Sequence, residues 1–139
     1  MQVVVHDLEQ ARAALDVARE QDVPIRLRSA PDAAAYAGVG YLKALSEALG
    51  EELLVDCGDD PGLVMAALRT GCRRLVFSGN AEMAERLAAM AGQLGAELVH
   101  ETTAPDVITL APEADAAAVL RVRLATLSWN TDQTQGESD

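Results

Sequence analysis

Asp56 and Cys57 stand directly after the apolar run Leu53-Leu54-Val55. Ser78-Gly79-Asn80 stand directly after Leu75-Val76-Phe77, and His6 directly after Val3-Val4-Val5. These six are the candidate ligand-binding residues. An aspartate that continues an apolar run loses hydration when the run packs, so its charge must be met. Three groups could meet it: N–H groups of the following turn at Gly58 to Asp60, His6, or an external ligand. Ser78-Gly79-Asn80 precedes a helical pattern, where backbone N–H groups can cradle an anion. Cys57 is a nucleophile by type, but no basic residue lies near it in sequence to stabilise a thiolate. His6, Asp7, Asp56 and His100 are types that hold divalent ions. They have no local spacing signature, so no metal is assigned and a degenerate metal-dependent hydrolase is the least favoured reading.

The bland roles are as concrete. Asp7 and Asn80 precede helical patterns and suit N-caps. Asp59 and Asp60 precede Pro61 at a helix start, where the dipole favours anions. The structural role is also favoured for Asp56.

The elements that must position these groups alternate. Gln2 to Val5 reads as a strand, Leu8 to Arg19 as a helix, and Ile25 to Arg28 as a short strand. Ile25 and Leu27 alternate with Arg26 and Arg28, which predicts an edge strand. Pro31 to Leu49 reads as a helix with a break near Gly38 and Gly40. From Glu52 to Asn80 the chain reads strand, helix, strand, a βαβ unit with parallel strands. A helix over Ala81 to Leu94 follows, then a strand over Ala96 to Val99. A sixth strand or extended segment covers Asp106 to Leu110, and a last helix runs from Glu113 to about Leu127 with Pro112 at its start.

This pattern predicts an α/β fold with a mainly parallel sheet of five or six strands. The first form is a three-layer sandwich, flavodoxin-like or Rossmann-like, with helices on both faces. The alternative is a half-barrel of β/α units. A single domain is expected over residues 1–128, with a polar, disordered tail over 129–139.

The run Met65 to Gly79, MAALRTGCRRLVFSG, lies in a segment (residues 53–99) that resembles a stretch of β/α barrel from the phosphate-binding and aldolase families. The resemblance implies ligand binding at strand carboxyl ends and, for those aldolases, a strand-borne Schiff-base lysine. The single lysine here, Lys43, sits inside a predicted helix. Asp7, Asp56 and Ser78 also resemble the acid, phospho-acceptor and hydroxyl positions of receiver domains. His100 stands where those domains carry a lysine, so the likeness implies topology alone.

The net charge of −11 argues against nucleic acid and anionic membrane surfaces as partners. Two cysteines and no leader pattern predict reduced thiols in the cytoplasm. No motif names a reaction or a cofactor. The reading is a small α/β protein, non-catalytic, that binds a small ligand, anionic ligands included, at the strand carboxyl ends. A structural or protein-interaction domain is the alternative. Tyr36 and Tyr41 would then lie at a self-association surface, as in a homodimer, or at the pocket mouth.

Overall fold

The computed structural model describes the backbone of residues 1–137 and the side-chain surroundings of residues 1–126. The described residues form six strands and six helices. They are β1 (Gln2–Val5), α1 (Leu8–Glu20), β2 (Arg26–Ser29), α2 (Ala33–Tyr36), α3 (Val39–Leu49) and β3 (Val55–Asp56). Then follow α4 (Pro61–Thr70), β4 (Arg74–Phe77), α5 (Ala81–Gln93), β5 (Glu97–His100), β6 (Val107–Thr109) and α6 (Ala116–Glu137). The expectation for 129–139 falls on residues whose side chains lie outside the described ones. No helix among the described residues is long and apolar enough to cross a membrane.

Every strand pair is parallel. The ladders form two three-stranded sheets, β2-β1-β6 and β3-β4-β5, in place of one wide sheet. The two meet at a single bridge between Arg28 and Leu54. There Leu54 N donates to Leu27 O at 3.0 Å and Ser29 N to Leu54 O at 2.9 Å. The strands therefore stand in one row, β6-β1-β2-β3-β4-β5.

That row places β2 inside, correcting the expected edge strand. It also separates the two forms left open by the pattern. A flavodoxin-like order puts β1 between β2 and β3, whereas here β2 lies between β1 and β3. With neighbours in sequence order, right-handed crossovers put successive helices on the same face. The helices do pack in matching order, α6 on α1, α1 on α3, α3 on α4 and α4 on α5. This is the half-barrel arrangement, with a concave face left to the strands.

Burial follows the pleat. Val3, Val5, Leu27, Val55, Leu75 and Phe77 join helix residues such as Ala14, Val64 and Leu120 in one core. Val4, Leu54 and Val76 are also buried but stand outside that cluster, on the other face. Alanines at the helix contacts (Ala11, Ala14, Ala67, Ala84, Ala91) keep the helices close to the sheet.

The local signals explain most boundaries. Asp7 caps α1, accepting from Gln10 N at 2.8 Å. Asp60 accepts from Gly62 N at the start of α4, where Pro61 occupies the first turn. Gly38, at φ 94°, separates α2 from α3 in the left-handed region that favours glycine. The last helix starts later than expected, at Ala116. Residues 111–114 are held as a turn because Gln10 Nε2 donates to the carbonyls of Ala111, Pro112 and Ala114.

Candidate functional site

The concave face closes on a cavity of about 450 Å³. It is lined from both ends of the strand row: Val4, Val107 and Thr109 on one side, Asp56 and Ser78 on the other. One cavity can touch both groups only if the row curls. The curl is spanned by residues 101–106, which link β5 to β6 without a helix. β5 ends at the carboxyl end of the row, while β6 begins level with Gln2. The segment therefore runs back along the strands, and Glu101 to Pro105 line the cavity.

Arg28 sits at the floor, its side chain 5% exposed. It reaches the floor because its neighbour Leu27 points into the helix-covered core and the pleat turns Arg28 to the concave face. Its Nη2 donates to Asp56 Oδ2 at 2.7 Å and to Glu101 Oε1 at 2.9 Å. Its Nη1 donates to Glu101 Oε2 and, at 3.1 Å, to Gln2 Oε1. Glu101 is thus held by both guanidinium nitrogens, the fork geometry that makes arginine pairs specific. The Arg28 pKa is raised, first by the hydrogen bond to Glu101, with Asp56 adding to the effect and burial opposing it.

Asp56 is also held by its own turn. Its Oδ1 accepts from Gly58 N at 2.9 Å, and its backbone N donates to Ser29 Oγ at 2.9 Å. The turn supplies one of the partners named from sequence. His6 is not a partner, and the charge is met instead by Arg28, 28 positions away on the strand expected at the sheet edge. Its signal was present in the alternation Arg26-Leu27-Arg28, but a polar face reads alike for an outer edge and for a barrel interior.

The remaining candidates divide. Ser78 lies on the cavity wall. Cys57 points the other way, into the helix-covered core at 1% exposure, and burial pushes its thiol up to about 12. Asn80 Oδ1 accepts from Met83 N at 2.8 Å and caps α5. Gly79 O accepts from the His100 ring at 2.7 Å, and the His100 ring stacks on Phe77. His6 Nε2 lies 2.8 Å from Leu110 O, bridging β1 to the chain beyond β6. His6, Asp7, Asp56 and His100 each have a separate partner. No three His, Cys, Asp or Glu side chains are grouped for a metal among the described residues. Cys72 is a free, buried thiol like Cys57. A recess of similar volume lies between the starts of α1 and α6, and its charged lining is entirely acidic, including Asp7, Glu9, Glu113 and Asp115.

No family model matches the chain. Part of it is similar to a known enzyme. Over 83 residues, 55% of this chain, it is 31% identical to a protein of Cupriavidus necator described as "Fructose-bisphosphate aldolase, plasmid". The chain spans 24% of that relative's length. The likeness agrees with the aldolase-type resemblance carried by residues 53–99. Lys43 stands on α3, beside Gly71 at the C-terminal end of α4, and does not line the cavity. The cavity therefore holds no amine for Schiff-base chemistry.

Proposed function

We propose that this chain is a binding module for a small molecule, held in the cavity at the strand carboxyl ends, with no covalent chemistry of its own. The observation that carries this reading is the Arg28–Asp56–Glu101 cluster at the cavity floor. Buried ion clusters are weak sources of stability, because desolvation offsets much of the attraction. Here the cluster borders an open space of ligand size, with hydroxyls of Ser78 and Thr103 on its walls. Each floor group already has hydrogen-bond partners, so no side chain there is set up as a general base or nucleophile. The aldolase activity named for the relative belongs to a chain about four times the length matched, and without a cavity lysine it is not carried over.

A thermal-shift screen with phosphate, sugar phosphates, nucleotides, sugars and amines tests the reading. Binding to the folded state raises the melting temperature by mass action. Stabilisation by one class, lost in Ser78→Trp, is expected. A flat response across all five classes would refute it.

A second reading, a protein-interaction domain, is favoured by a separate surface. Tyr36 is 94% exposed and Tyr41 44% exposed, on either side of Gly38. Tyrosines left in solvent are frequent interface anchors. Sedimentation of the wild type against Tyr36→Ser and Tyr41→Ser is its test, and identical monomeric profiles would remove it.

A further inference from the structure

We infer that the cavity takes a small monocationic ligand, an ammonium or guanidinium group on a short apolar body. This rests on the small-ligand reading above and names the chemistry of that site. The floor carries one guanidinium and two carboxylates, which leaves one negative charge. Arg28 is the only basic residue among those lining the cavity. Its Nη1 and Nη2 are already directed at Glu101, Asp56 and Gln2. An incoming anion would meet a surplus of negative charge and an arginine whose two terminal nitrogens are already bonded. An incoming cation would bring the floor to neutrality, with four charges of alternating sign in a place shielded from water. The rest of the lining fits an apolar body, with Val4, Pro31, Ala104, Pro105 and Val107 in it. The hydroxyls of Ser78 and Thr103 accept hydrogen bonds from an ammonium group.

Titration calorimetry with n-butylammonium, n-butanol, butyrate and inorganic phosphate separates the classes. The four probes share size or charge pairwise and differ in sign. n-Butylammonium is expected to bind at least about tenfold more tightly than n-butanol or butyrate, and more weakly as salt is raised. Glu101→Gln makes the floor neutral and is expected to lower amine affinity about tenfold. Thr103→Lys sets a positive charge on the exposed rim, away from the buried cluster. It is expected to weaken amine binding in a chain whose folding is undisturbed. Preference for butyrate or phosphate over the amine would overturn the charge assignment while leaving the small-ligand reading standing. Amine binding unchanged in both variants would place the amine elsewhere and overturn the assignment too. Silence from all four probes and from the wider screen would overturn both.

Discussion

Arg28 is the residue on which the concave face depends. Removing it leaves Asp56 and Glu101 facing each other with little water. Arg28→Leu is therefore expected to cost about 3–5 kcal/mol, read from urea denaturation. Asp56→Asn keeps the shape and removes one charge. It is expected to cost about 1–3 kcal/mol, since Gly58 N loses a charged acceptor and Arg28 keeps only Glu101 as a charged partner. An unchanged midpoint in Asp56→Asn would show that the carboxylate is dispensable to the fold. Cys57 gives a pH prediction. Its thiol is raised from an ordinary 9.0 to about 12 in the folded chain, mainly by burial. The folded state thus holds this proton more tightly than the unfolded state. Its contribution is complete below pH 9 and is lost as pH rises toward 12. Stability is expected to fall over that window, and less steeply in Cys57→Ala. Equal slopes in the two proteins would contradict the burial.

At the scale of elements, the junction between β4 and α5 is tightly packed at Gly79. A Cβ on Gly79 would overlap the Phe77 ring, with Cε2 2.8 Å away. That ring is 1% exposed and stacked on His100, so it has no room to yield. Gly79→Ala is expected to cost about 1–3 kcal/mol by overpacking. Asn80→Ala, one position on, removes only the cap of α5 and is expected to cost about 1 kcal/mol. Thermal melts of the two variants side by side check the order, and a larger loss in Asn80→Ala would show that the Phe77 ring can move. The same element scale explains why β2 was misread. Its alternation is genuine, but on the polar side Arg28 faces a cavity that β1, β3 and β6 also line.

For the whole molecule, the net charge of −11 sets the long-range field. Like charges over a small surface repel in the folded state and less so in the expanded one. Screening relieves the folded state, because the Debye length shrinks from about 10 Å at 0.1 M to about 3 Å at 1 M. The melting temperature is expected to rise between 0.05 and 0.5 M sodium chloride (about a tenfold range). A fall would mean that the buried Arg28 cluster or surface pairs such as Arg86–Glu82 outweigh the general repulsion.

The sequence by itself determined the α/β alternation, the parallel βαβ unit over Glu52 to Asn80 and the caps at Asp7, Asp60 and Asn80. These rest on periodicity, on hydrogen-bonding side chains and on glycines at local turns, all acting over a few residues. It also placed Asp56 and Ser78 at strand ends, because apolar runs stop there. Tertiary structure decided the rest. Which strand lies beside which depends on how crossovers stack, and nothing local in Arg26 to Ser29 records that β3 will be its neighbour. Whether Arg28 faces water or a floor depends on the curl of the row, which only the short link of residues 101–106 and the one-sided helix layer impose. Cys57 and Asp56, adjacent in sequence, are parted for the same reason. The pleat sends successive side chains to opposite faces, so one enters the core and the other the cavity.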